Sequence, residues 1–220
     1  MSDPEVTQPP QLSPIEARVV ASLIEKQATT PDVYPLTLNA IVLACNQKTA
    51  REPTMQLDPG EVGHALRQLE GRGWVKAQHG GRADRYEHRF DTQLGITRPQ
   101  AALLALMMLR GPQTAYELLT RSERMASFDG VEDVQHALGR LAQRDRALVR
   151  EIPRQSGQRE DRYAHLLSGE PVIPVASARA ASTASSLDSR VEALESRVAD
   201  LEAQLARLVG EGGDKDSEES

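Results

Sequence analysis

Arginines beside glycine-containing turns are the residues of this chain best suited to chemistry, and that chemistry is the holding of phosphate. Arg82 and Arg85 follow Gly80-Gly81, and Arg154, Arg159 and Arg162 surround Gly157. A guanidinium offers five N–H donors in a planar fork that matches a phosphate group. Glycine permits the positive φ that tight turns need. Arg67 and Arg140 stand upstream, each inside a helical pattern. A separate polar group, Gln47, Lys48 and Arg51, follows Asn46. Glutamine can read adenine edges, and lysine and arginine can hold phosphate or guanine. A solvated surface explains the same arginines without a ligand, through local pairs such as Asp84 with Arg85 and Asp161 with Arg162. Glu61, Glu132 and Asp133 would repel phosphate.

Other chemistries find less support. Cys45 is the only cysteine, which excludes an intrachain disulfide, and no activating neighbour marks it as a nucleophile. The five histidines include two matched pairs, His64 with His136 and His88 with His165, which suggests repeated structural hydrogen bonding. They lack the convergent spacing of a metal site. Gly80-Gly81 lacks the Lys-Ser/Thr partner of a phosphate-binding loop. No enzyme activity, cofactor or metal is expected.

The elements that must position the arginines occur twice. Val62, Ala65, Leu66, Leu69 and Val134, Ala137, Leu138, Leu141 fall at i, i+3, i+4, i+7, one face of a helix. After each comes a short apolar strand (Trp74-Val75-Lys76; Leu148-Val149-Arg150), a turn, and a second strand at Asp84-Arg85-Tyr86 or Asp161-Arg162-Tyr163. The copy extends upstream. Ser13 with Glu16, and Thr97 with Gln100, read as capping boxes ahead of the faces Val19, Val20, Leu23, Ile24 and Leu103, Leu104, Met107, Met108. A second helix is predicted over Leu38 to Cys45 and about Ala115 to Ser122. Asp58 with Glu61, and Asp129 with Glu132, are the expected starts of the third helices. The connection Asn46 to Leu57 is longer than its counterpart in the second copy. Helix, helix, helix, strand, basic turn, strand is the plan of a winged helix.

The net charge of −6 sits in the tails. Asp3 and Glu5 charge the N-terminal one, and five acids against Lys215 charge residues 211–220. The chain between them is formally neutral, so nucleic-acid affinity would need a local patch. Aromatics are 3%, which makes the cores aliphatic. The longest apolar run, Ala101 to Leu109, is too short to span a bilayer, and no membrane partner is expected. The expected compartment is a bacterial-type cytoplasm.

Beyond residue 167 the chain turns Pro-, Ala- and Ser-rich, a linker signature. Leu187, Val191, Leu194, Val198, Leu201, Leu205 and Leu208 then alternate spacings of four and three. That is a heptad seam, and β-branched a positions with leucine at d favour a parallel homodimer.

Glu16-Ala17-Arg18-Val19, the run Glu25 to Leu36, Ala44 to Thr49, Leu109 to Thr114, and Gly157 to Leu167 resemble the YceH-like bacterial proteins. The resemblance covers about Leu12 to Glu170. It implies tandem winged-helix domains in a bacterial cytosol and no particular activity.

The fold expected is mostly α with small β-hairpins (α+β): two tandem winged-helix domains followed by a C-terminal coiled-coil helix. The boundaries are a disordered tail over 1–11, domains over 12–92 and 94–167, a linker over 168–186, a coiled coil over 187–209 and an acidic disordered tail over 210–220. Each domain is expected to fold alone. Two functions are weighed. The first is a DNA-binding protein, a transcriptional regulator whose partner is double-stranded DNA. The alternative is a protein-interaction adaptor that binds a protein partner without touching DNA.

Overall fold

The computed structural model describes residues 11–81, 83–154 and 158–171. It is a mixed α+β structure with small antiparallel sheets. The expected coiled-coil seam and acidic tail lie outside the described residues.

Helix α1 (Pro14–Thr29) begins as its sequence dictates. The Ser13 hydroxyl accepts the Glu16 N–H at 3.3 Å, and the Glu16 carboxylate accepts the Ser13 N–H at 2.8 Å. Strand β1 (Leu36–Thr37) leads straight into α2 (Leu38–Cys45), whose N-cap is Thr37. Helix α3 (Pro59–Gly71) opens on a capping box of Asp58 with Glu61. Strands β2 (Val75–Gln78) and β3 (Arg85–His88) form a hairpin in the register Val75 opposite His88 and Ala77 opposite Tyr86. The sheet order is β1-β3-β2, with Leu36 opposite Tyr86. Strand β1 was not foreseen; two residues ahead of a helix are too few to show alternation.

A short helix, α4 (Phe90–Leu94), runs across the boundary expected between residues 92 and 94. Phe90 is fully buried against Trp74, with ring centroids 5.6 Å apart. Gly95, at φ 59°, ends α4 in the left-handed region that glycine tolerates best.

The second half repeats the order. Helix α5 (Arg98–Arg110) carries the Thr97–Gln100 capping box, and α6 (Ala115–Ser122) carries one from Thr114 and Glu117. Helix α7 (Val131–Ala142) departs from expectation: its N-cap is Gly130, with no side-chain cap, rather than Asp129. The one-residue offset puts the Asp129 oxygens out of register with the first free N–H groups. Strands β4 (Val149–Ile152) and β5 (Arg162–His165) pair with Glu151 opposite Tyr163. In place of a third strand, Gln113 exchanges two backbone bonds with Tyr163, at 3.0 and 2.7 Å. Tyr86 and Tyr163, the tyrosines of the two Asp-Arg-Tyr motifs, thus receive the same edge.

The expectation that each half folds alone meets a different core. Every residue from Glu16 to Ile24 on α1 and from Gln100 to Leu109 on α5 is buried. Helices buried on all sides lie in the interior of a fold, and α1 and α5 pack against each other there. The buried side chains of both halves form one contiguous cluster in a single compact unit. Backbone bonds cross the same boundary, from Leu12 N–H to Leu167 O and from Glu52 N–H to Leu109 O, both 2.7 Å.

Candidate nucleic-acid interface

The third helix of each half divides cleanly into two faces. On α3, Val62, Ala65, Leu66 and Leu69 are buried, while His64, Arg67 and Gln68 are exposed. On α7, Val134, Leu138 and Leu141 are buried, while Gln135, His136 and Arg140 are exposed. Arg67 and Arg140 therefore stand on accessible helical faces. Glu61, Glu132 and Asp133, at the first turns, are exposed as well and lend those ends negative charge.

The arginine of each Asp-Arg-Tyr motif has a structural duty. Arg85 donates from Nη1 to the Pro35 carbonyl at 2.7 Å, and Arg162 donates from Nη1 to the Pro112 carbonyl at 2.9 Å. Pro35 and Pro112 each precede the segment that pairs with the motif's tyrosine, so the arginine latches that edge to the hairpin. The local pairs expected from sequence are replaced. Asp84 instead meets His79 Nδ1 at 3.0 Å, which raises the His79 pKa, and Asp161 accepts the Arg154 N–H at 2.8 Å. Arg154 and Arg159 are exposed beside the second turn. Arg82 lies outside the described residues.

The long connection of the first half is held from within. Asn46 clasps Leu57 by two bonds of 2.8 Å, its amide donating to the Leu57 carbonyl and its oxygen accepting the Leu57 N–H. Arg51 was read as a nucleic-acid contact, but its side chain is fully enclosed. It donates to the Ala44 carbonyl at 3.1 Å, to both Glu25 carboxylate oxygens at 3.1 and 2.5 Å, and to Gln47 Oε1 at 2.9 Å. Gln47 thereby has its oxygen occupied as well. Lys48 alone of that group is exposed and without a polar contact among the described residues. Arg18, which sequence reasoning passed over, donates to the Cys45 carbonyl at 3.2 Å and the Pro53 carbonyl at 2.7 Å. A charge set between Ala17 and Val19 on a buried face was the signal for it. Two arginines thus take the free carbonyls at the C-terminus of α2, where cations are favoured.

The histidine pairs divide. His64 and His136 are exposed on the third helices. His88 Nε2 meets Gln27 Oε1 at 2.8 Å, and burial lowers its pKa. His165, its counterpart, has a buried Nδ1 with no hydrogen-bond partner, and desolvation lowers its pKa to about 4. The matched positions therefore do not share one hydrogen-bonding role. Cys45 is buried, 3.7 Å from the Ser22 hydroxyl, and burial raises its pKa. That environment disfavours the reactive thiolate.

Sequence reading also missed Arg110 and Arg121. They converge with Arg162 on a recess between α5, α6 and the connection of the first half. They lie outside both hairpins, and only the packing of the two halves brings them together.

Comparison with known proteins adds a family. The family described as "Protein of unknown function, DUF480" matches residues 12–158. A UPF0502 protein of Pseudomonas paraeruginosa is 56% identical over 185 residues, covering 81% of this chain and 83% of the relative. One from Ectopseudomonas mendocina is 62% identical over 160 residues, covering 73% of each chain. One from Xanthomonas axonopodis pv. citri is 54% identical over 198 residues, covering 86% of this chain and 88% of the relative.

Proposed function

The chain belongs to the bacterial UPF0502 family, the proteins of unknown function also described as DUF480, and on that premise we propose that it is a cytoplasmic, non-catalytic DNA-binding protein built of tandem winged helices. The observation that carries this reading is the repeated packing of a third helix with an exposed, arginine-bearing face on a hairpin: α3 with Arg67 on β2, and α7 with Arg140 on β4, whose hairpin carries the exposed Arg154 and Arg159. In winged helices the third helix meets base edges while the wing follows phosphates. Lys48 and Arg82 complete the contacts of the first half. Arg51 is withdrawn from the set because it is enclosed, and Arg85 and Arg162 spend one edge on the proline carbonyls. The heptad seam from Leu187 to Leu208 supplies the parallel dimer that a twofold operator would need.

The test is duplex binding by the full chain across a salt series, read by fluorescence anisotropy. Each phosphate neutralised contributes a slope of about −0.9 in log affinity against log salt. Changing Arg82 and Arg154 together to Ala should flatten the slope by about 1 to 2 units per chain, and Arg67→Ala should alter preference among sequences. Absence of duplex binding at physiological salt overturns the reading.

The adaptor reading is favoured by Leu43 on α2 and Tyr116 on α6, large apolar side chains left 73% and 64% exposed. Exposed aromatic and aliphatic anchors of this kind suit a protein partner. A nuclease-resistant partner recovered on the full chain, lost with Leu43→Ser and Tyr116→Ser, is the result expected of it.

A further inference from the structure

Arg110 is a partly buried guanidinium with neither a hydrogen bond nor an ion pair among the described residues. It lines a recess of about 290 Å³ whose walls come from both halves of the chain: Arg51 and Glu52 from the connection, and Arg110, Glu117, Arg121 and Arg162 from the second half. Of the carboxylates near the recess, Glu25 and Glu117 are already paired, while Glu52 is exposed. Arg51 is neutralised by Glu25, while Glu117 lies 3.7 Å from Arg121 and 3.4 Å from Arg162. Arg121 is aimed by Gln113, whose oxygen it meets at 2.6 Å and whose amide is anchored on the Leu106 carbonyl at 2.9 Å. Burial, foremost, and the neighbouring Arg121 and Arg51 disfavour the charged form of Arg110, and the Glu25 carboxylate offsets them only in part. A cation kept partly out of water with no hydrogen bond or ion pair of its own is costly, and an anion in the recess relieves that cost.

We infer that this recess binds the phosphoryl group of a small phosphorylated molecule, held by Arg110, Arg121 and Arg162. Three guanidinium forks offer more donors than one carboxylate can accept, and a tetrahedral dianion with three free oxygens matches them. The volume is at the lower edge of ligand pockets, which run about 300–1,000 Å³, so it suits a compact ligand rather than a duplex. Glu52, also in the lining, opposes any anion there, and the arginines must outweigh it. Because the walls belong to both halves, an occupant tightens the junction between them. This inference shares only Arg162 with the DNA reading and uses neither third helix.

The probe is inorganic pyrophosphate, titrated into the full chain by calorimetry and by thermal unfolding, against sodium chloride at equal ionic strength. One saturable site is expected, with Tm rising by several degrees once pyrophosphate exceeds its Kd by about a hundredfold. Arg110→Gln and Arg121→Gln should each weaken binding by roughly tenfold to a hundredfold. Arg124→Gln, an exposed arginine outside the recess, should leave it unchanged. Arg110→Gln should leave the ligand-free Tm close to the parent's, because Arg110 makes no hydrogen bond or ion pair among the described residues, and this separates lost binding from lost folding. The inference is overturned if pyrophosphate does no more than matched chloride. It is equally overturned if both glutamine variants bind like the parent, or if they weaken only duplex binding.

Discussion

His165 shows how one side chain can set the acid sensitivity of a fold. Its Nδ1 is buried without a partner, and desolvation brings its pKa down to about 4 from an ordinary value near 6.5. The depressed value means that the folded state favours the neutral ring, so the unfolded chain binds the proton first. Stability is therefore whole above about pH 6.5, falls as the pH drops from there toward 4, and levels off below. The loss is on the order of 3 kcal/mol for a shift of that size. His88 adds to the same trend, while His79, whose pKa Asp84 raises, opposes it. Urea unfolding between pH 4 and 7 should show the decline, and His165→Leu should reduce its slope. A variant as acid-sensitive as the parent would place the effect elsewhere.

At the scale of elements, the connection between α2 and α3 acts as a built part. Asn46 closes it on Leu57, and Arg18 and Arg51 hold it from the interior side. Removing one member of an enclosed ion pair leaves the other charge uncompensated, which costs about 3–5 kcal/mol. Arg51→Ala should approach the lower end of that range, because Glu25 keeps some access to water at 16% exposure. The measurement is urea unfolding, with Arg51→Met together with Glu25→Met recovering most of the loss. If Arg51 served a ligand instead, its removal would leave stability nearly intact.

At the scale of the molecule, the pairing of α1 with α5 joins the two halves in one buried core. A fragment ending near Thr92 would leave the α5-facing side of α1 in water, and one starting near Leu94 would do the same to α5. Each buried Leu, Ile or Met is worth about 1.5–3 kcal/mol, a large share of the total for a small domain. Neither fragment alone should give a cooperative melt by circular dichroism, and mixing the two should restore one. Two independent cooperative melts would show that the halves are separate domains after all. The proposed dimer is a matter of the same scale. Leu194→Ala with Leu201→Ala should bring the mass by light scattering down to that of a single chain, because core truncations cost about 2–5 kcal/mol each; an unchanged mass would remove the coiled-coil proposal.

Local signals were legible in the amino-acid sequence because they act over one turn of helix. Ser13 with Glu16, Thr97 with Gln100 and Asp58 with Glu61 were each recognisable from residues three apart, and α2 and α6 span the stretches expected of them. The copied Asp-Arg-Tyr likewise marked the second strand of both hairpins. What the arginines do was decided by tertiary structure. Arg51 and Lys48 look alike in a polar stretch, yet one is enclosed by Glu25 from 26 residues away and the other faces water. Arg85 and Arg162 find their partners about fifty positions upstream, at Pro35 and Pro112. The recess of Arg110 and Arg121 exists only because the two halves share a core. A guanidinium on a flexible stem can reach phosphate, carboxylate or main-chain carbonyl with equal chemistry, so its use is fixed by which of these the packed chain brings within hydrogen-bonding distance.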